Sequence, residues 1–202
     1  MKDREPVRVQ RAVKTPIPPG PVEIAPSIVD RARRGDQEAF AAVIRHYDRG
    51  LRSLAYRLLG DRDRMDDALQ EAYLKAFRAL PRFRGDSKLG TWLYRITYNV
   101  CLDELERLSR AAHVSLADVP EPVETGPPAD EALSDRDALA AALDALSPED
   151  RAAVLLVDAN GFDYQSAGEV LGVPAGTVAS RLNRARAALR HSLSQPIEAA
   201  AL

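Results

Sequence analysis

Residues 163–190 read DYQSAGEVLGVPAGTVASRLNRARAALR, and this stretch decides how the chain is to be read. Tyr164 to Leu171 suits a short helix. Gly172 suits a tight turn, where the backbone must turn left-handed. Pro174 can start the next helix, because the first helical residue has no amide bond to lose. On that helix Val178, Leu182, Ala185 and Leu189 recur at helical spacing and form one apolar face. Thr177, Ser180, Asn183 and Arg184 lie opposite, with Arg181, Arg186 and Arg190 on the flanks. Between Val170 and Ile197 there are four arginines and no acid. The spacing from Gly168 through Gly172 to Val178 matches a helix-turn-helix. Such a second helix can enter a major groove, with polar side chains on base edges and arginines on phosphates or guanine. An amphipathic hairpin with a solvated basic face would show the same pattern, so the segment alone leaves both readings open.

Working outward, Ser147-Pro148-Glu149-Asp150 is a helix start: a serine cap, a proline in the first turn, and acids at the positive helix end. Ser134 caps the helix before it, so a domain of 134–193 is expected, followed by a short tail, 194–202. Residues 114–133 hold Pro120, Pro122, Pro127 and Pro128 among acids and read as a flexible acidic linker. Upstream, Asp36 caps a helix whose stripe runs through Phe40, Val43, Ile44, Tyr47, Leu51, Leu54 and Leu58, and Gly60 ends it. Asp61 opens the next, with Met65, Leu69, Ala72, Ala76, Phe77 and Leu80 inside, and Pro81 stops it. A polar loop, Arg82 to Lys88, leads to a long helix with Trp92, Leu93, Ile96, Val100 and Leu105 facing in. Residues 27–113 therefore form a first domain. Residues 1–26 contain six prolines and no hydrophobic period, and read as a disordered tail. The expected fold class is all-α, two small helical domains joined by the linker.

Charge is segregated along the chain. The net charge of -2 conceals 17 basic and 13 acidic groups in 27–113 against 1 basic and 8 acidic in 114–147. Local charge, not the whole-chain value, bears on nucleic-acid binding. The single cysteine, Cys101, excludes an internal disulfide and a Cys-rich zinc site. No apolar run approaches the roughly 20 residues of a membrane span, and the N-terminus has no apolar signal core. A cytoplasmic protein with no direct membrane insertion is expected.

Taken together, the two halves resemble extracytoplasmic-function sigma factors of the sigma-70 family over roughly residues 27–192. The first half is similar to sigma region 2 through Asp67-Ala68-Leu69-Gln70-Glu71-Ala72-Tyr73, Phe83-Arg84-Gly85, Thr91-Trp92-Leu93-Tyr94-Arg95-Ile96-Thr97-Tyr98-Asn99, and Leu102-Asp103. The second half is similar to sigma region 4 through Leu146-Ser147-Pro148-Glu149-Asp150-Arg151 and Gly172 to Leu182. The order and separation of these words carry more than any one of them. Ala179 stands where the family often has lysine, Gly90 where a larger residue is common, and Ser166 and Gly168 replace a more usual Glu and Ala. Those departures bear on promoter sequence rather than on class.

The resemblance implies partners and roles. Asp67, Gln70 and Glu71 would dock on core RNA polymerase, at the beta-prime clamp helices, with contacts to beta as well. Asp67 and Glu71 lie one turn apart and can meet basic partners, although Glu71 can equally pair with Lys75. Arg84, Lys88, Tyr94, Arg95, Tyr98 and Asn99 would read the minus-10 element. Separated DNA needs positive charge and stacking platforms, which Arg82, Arg84, Lys88 and Arg95, and Tyr94 and Tyr98, would supply. One extruded base would sit between the loop 84–88 and the start of the long helix. Packing against the core is the other role open to Tyr98; Trp92 is placed in the core by its spacing; Asn99 and Asp103 also read as a structural pair. Thr177, Ser180, Arg181, Asn183 and Arg184 would read the minus-35 element. In the family the linker crosses the polymerase near the RNA exit path, where its acids could imitate RNA; a solvated spacer fits equally. The resemblance also implies an anti-sigma factor, linked to the membrane.

Two rivals are set beside this. A free-standing helix-turn-helix regulator accounts for 148–190 but leaves the word from Asp67 to Glu71 unexplained. An enzyme would need a constellation: Asp61, Asp63, Asp66 and Asp67 are interleaved with Arg62 and Arg64, and His46, His113 and His191 fit no ligand motif. No catalytic residue, metal or cofactor is expected.

Overall fold

Helix boundaries follow the capping chemistry of the chain. The structure, a computed structural model, describes residues 22–115 and 135–194. The readings of residues 1–21 and 195–202 as tails, of 116–133 as linker, and of Ser134 as a cap lie outside the described residues. Among the described residues all regular structure is helical.

The first half holds α1 (Pro26–Arg33), α2 (Gln37–Leu59), α3 (Arg62–Ala79), a single tight turn at Leu80–Arg82, and α4 (Leu89–Ser115). Asp36 Oδ1 accepts the Ala39 amide at 3.0 Å to start α2, and Asp61 Oδ1 accepts the Arg64 amide at 2.8 Å to start α3. α2 closes at Gly60. The structure extends the first half at both ends. α1 begins at Pro26, inside the stretch whose prolines read as tail, because a proline in the first turn leaves no amide unsatisfied. The residues before it lie along α2: the Val22 carbonyl meets His46 Nε2, and the Tyr47 hydroxyl reaches Glu23. α4 continues to Ser115, two residues past the expected boundary.

The second half holds α5 (Asp135–Asp144), α6 (Pro148–Val154), which widens into a π turn at Leu155–Ala159, α7 (Tyr164–Leu171) and α8 (Ala175–Ser194). Ser147 Oγ accepts the Asp150 amide at 3.2 Å, and Asp163 Oδ1 the Ser166 amide at 2.7 Å. Gly172 has φ +66°, the left-handed turn that joins α7 to α8.

Val43, Leu51, Leu54, Leu69 and Leu93 are fully buried in the first half, and Leu156, Val170, Val178 and Leu182 in the second. Each such side chain contributes about 1.5–3 kcal/mol. Trp92, Ile96 and Leu105 are only partly buried against this core. The Cys101 thiol is buried, and burial pushes its pKa up to about 12, which removes it as a nucleophile. The two halves do not hang apart: α4 packs on α7 and α2 meets α6, so that one apolar cluster runs through both.

Candidate polymerase and nucleic-acid interfaces

α3 presents two different exposed faces: Asp67 and Glu71 are one turn apart and share one, whereas Gln70, next to Glu71 in the chain, turns about 100° away from it. Asp67 and Glu71 border a groove with α4, lined also by Arg64, Asp103, Glu104 and Arg107. Gln70 lies on the adjoining face, where it borders an apolar groove with Phe40, Tyr73, Leu74 and Phe77. Leu74 is 48% exposed there, unusual for so large an apolar side chain. Glu71 pairs with Lys75 Nζ at 2.8 Å, and Lys75 also approaches Asp103 at 3.8 Å. The hydrogen bond to Glu71 raises the Lys75 pKa. Glu71 thus has the surface partner that its spacing allowed, while remaining exposed.

The loop after α3 is basic and open. Arg82, Arg84 and Lys88 lie along it, all exposed, and Arg95 and Asn99 are exposed on α4. Phe83 packs on Trp92 with ring centroids 5.1 Å apart, which holds the loop against the helix start. Tyr94 and Tyr98 lie elsewhere than a stacking platform requires. They are 3% and 2% exposed, covered in this arrangement by the second half. The Tyr94 hydroxyl donates to Asn160 Oδ1 at 2.9 Å, and its ring meets Phe162 edge-on at 4.9 Å. Burial raises the pKa of both tyrosines; for Tyr98, Arg181 opposes and Glu149 adds to the shift. The six residues of the minus-10 set are thus divided: four open to solvent, and two closed off together.

On α8, Ser180, Asn183 and Arg184 are exposed, and Thr177 and Arg181 partly so. Ser180 Oγ donates back to the Thr177 carbonyl at 2.9 Å. Arg184 is tied into its own domain by two bonds to Asp150, at 2.8 and 3.3 Å. Arg186 is held likewise by Asp158, whose hydrogen bond raises the arginine pKa further. Arg181 stands near Tyr98 of α4 instead. The arginines of α8 therefore differ: Arg184 and Arg186 brace the helix-turn-helix, whereas Arg181 has no carboxylate partner of that kind among the described residues.

Sequence reasoning passed over Gly50, Asn160 and Phe162, which surround the Tyr94 hydroxyl and ring. The signal was a glycine in the middle of a 23-residue helix, where glycine is normally avoided. Among the described residues no group of three or more His, Cys, Asp or Glu is placed to hold a metal ion, and no helix is long and apolar enough to cross a membrane.

Comparison with known proteins matches two family descriptions to the chain, one in each half. Residues 37–111 match the Sigma-70 region 2 family, and residues 136–189 match Sigma-70, region 4. The ECF RNA polymerase sigma factor SigM of Mycobacterium tuberculosis is 40% identical over 161 residues, 79% of each chain. SigE of Mycolicibacterium smegmatis is 38% identical over 169 residues; the match takes in 80% of this chain but only 65% of that longer relative. Among solved structures, the sigma factor RpoE of Bartonella quintana, in complex with the anti-sigma factor NepR, superposes with a TM-score of 0.64. Its identity is 29%, over 79% of this chain and 98% of that one. CnrH in complex with the cytosolic domain of CnrY gives 0.63 at 28% identity, over 83% and 95%.

Proposed function

The chain belongs to the extracytoplasmic-function sigma factors of the sigma-70 family, and from that premise we propose that it binds core RNA polymerase, recognises minus-35 and minus-10 promoter elements, and promotes their melting. The observation that carries this reading is the presence on one chain of two surfaces that a free-standing regulator would not need together. One is the exposed acidic edge of α3 at Asp67 and Glu71, beside an apolar groove at Gln70 and Leu74. The other is the α7–α8 helix-turn-helix. The first suits a protein partner with basic and apolar groups, and the second suits a major groove. Arg84 and Lys88, on a short loop braced by Phe83, suit the phosphates of separated DNA.

An anti-sigma factor is the further partner this reading includes. The structural relative RpoE is a sigma factor crystallised with one, which supports it. The protein then works in the cytoplasm, held at the membrane through that inhibitor. The test is reconstitution with core polymerase followed by mapping of transcript starts. Defined starts, with permanganate-reactive thymines upstream of them, are expected. Sequence-specific DNA protection by the protein alone, with no binding to core polymerase, would establish the free-standing regulator instead.

A further inference from the structure

We propose that the second domain of this chain shuts the promoter-reading face of the first, and that the latch is the Tyr94 hydroxyl seated between Gly50 and Asn160. Resting on the promoter reading above, the inference adds that the free protein is closed to single-stranded DNA until the halves separate.

The latch is built from both halves. Tyr94 comes from α4, Gly50 from the middle of α2, and Asn160 from the end of the π turn after α6. A Cβ on residue 50 would stand 1.8 Å from the Tyr94 hydroxyl and 3.0 Å from Asn160 Oδ1. Any side chain there excludes the hydroxyl from its present seat. Asn160 is itself oriented, because its amide nitrogen donates to the Leu155 carbonyl at 2.7 Å. Its oxygen is thereby turned to accept from Tyr94. The 3%-exposed Phe162 closes on the tyrosine ring from the same segment.

The contact continues along α4. Tyr98, one turn on, is covered where Glu149 and Arg181 approach it. Lys88 of the basic loop lies close enough to the α7 cap, Asp163, to help hold that carboxyl's pKa down, behind the larger effect of the Ser166 amide. The loop and α7 line one cleft together, through Gly85, Lys88, Ser166 and Glu169. Two turns along α2 from Gly50, the Arg151 guanidinium donates to the Arg57 carbonyl at 2.9 Å. The closed packing thus takes up two of the six candidate minus-10 residues and brings Arg181 of α8 near one of them. A bond that only stabilised the first domain would not need its acceptor on the second.

Gly50 carries the sharpest test, because in an isolated helix alanine would be the better residue at that position. Tyrosine nitration by tetranitromethane, read residue by residue by mass spectrometry on the full chain, reports closure without DNA or polymerase. Closure can therefore be decided even where the promoter reading fails. Tyr56, 46% exposed, is the internal standard. In the native chain Tyr94 should react at least about tenfold more slowly than Tyr56, as a group accessible only through local opening. Asn160→Ala should speed Tyr94 about fivefold, the worth of one net hydrogen bond. Gly50→Ala should speed it by about tenfold or more, as an overpacked contact is forced apart. Both variants should retain helical circular dichroism and bind a fluorescent mixed-sequence single-stranded DNA 15-mer more tightly than the native chain does. Native Tyr94 reacting as fast as Tyr56 overturns the proposal. So does Tyr94 staying protected in both variants, or becoming reactive in both with no gain in DNA binding. Should Gly50→Ala fail to fold, Asn160→Ala, which lies on the other half and adds no atoms, decides alone.

Discussion

Replacing Arg151 with alanine should unfasten the second domain from within. The Arg151 side chain is 11% exposed, and its guanidinium donates to the Asp144 carbonyl at 2.6 Å, the Asp144 carboxylate at 2.9 Å and the Arg57 carbonyl at 2.9 Å. A longer bond reaches the Leu146 carbonyl at 3.3 Å. The Asp144 carboxylate is 61% exposed, so that pair behaves as a surface ion pair worth about 0.5 kcal/mol. The two short bonds to carbonyls join a charged donor to groups at helix ends, and each is worth about 1.5 kcal/mol. Nε is buried without a partner, which works against the residue. Allowing for that, Arg151→Ala should cost about 3 kcal/mol, more than a hundredfold in the folded-to-unfolded ratio. Urea denaturation of the full chain, followed by far-ultraviolet circular dichroism, reads the loss. Arg151→Lys should recover less than half of it, because an ammonium cannot fork between carbonyls that diverge. A loss below about 1 kcal/mol, the ordinary cost of an unremarkable substitution, would show that the guanidinium bonds do not form in solution.

Four further outcomes concern the surfaces. Reversing both Asp67 and Glu71 to lysine should weaken binding to core polymerase at least tenfold in a pull-down while leaving helical content unchanged, since both are exposed; unchanged affinity removes the assignment. Arg181→Ala should weaken minus-35 protection by about 1–3 kcal/mol if the guanidinium reads a guanine, and equally on all sequences if it only meets phosphate. Arg184→Ala, whose side chain is occupied by Asp150, should have a smaller and sequence-independent effect in the same footprint. Alanine at both Arg84 and Lys88 should abolish permanganate reactivity of promoter thymines while core binding and minus-35 protection survive; normal opening would make the loop a solvated connection.

Local chemistry was legible in the sequence where one residue settles one helix end. Asp36, Asp61 and Ser147 cap because a short oxygen-bearing side chain satisfies an amide three residues on, a rule that needs no tertiary structure. The stripe through Val43, Tyr47, Leu51, Leu54 and Leu58 is buried as its period implied. Trp92 took a half-buried place rather than a full place inside, because its ring packs on Phe83 of the open loop before the helix. Tyr94 was harder. Its amphipathic ring suits a base or a core equally, and period alone cannot tell solvent from the other domain. The partners that settle the matter lie 66 residues away, at Asn160, and across α2, at Gly50. Gly50 fell inside a helical stripe that read straight through it, since its neighbours supplied the pattern without it. The pairing of Arg184 with Asp150, 34 residues apart, was hidden for the same reason: contacts between helices leave no spacing rule in the chain.

A closed contact of this kind has to be breakable by the partner it delays. The Tyr94–Asn160 bond is worth about 1 kcal/mol net, and the edge-on pair with Phe162 about as much again. The Arg151–Arg57 bond adds about 1.5 kcal/mol, being charged on one side. Because both halves are on one chain, closure does not carry the entropy of bringing two molecules together. These terms leave the open form at roughly a few tenths of a per cent, by the usual two-state relation. Core polymerase would then need roughly a few thousandfold preference for the open form to convert most of the population. Two separate docking sites, one for each half, would supply such a preference where both could be filled only with the halves apart. Duplex DNA alone supplies much less: the chain carries a net charge of -2, so long-range attraction to phosphate is weak. The same tyrosine that would support a base in the open complex thus sets the threshold for reaching it, and Asn160 and the base would compete for one face of α4 in turn.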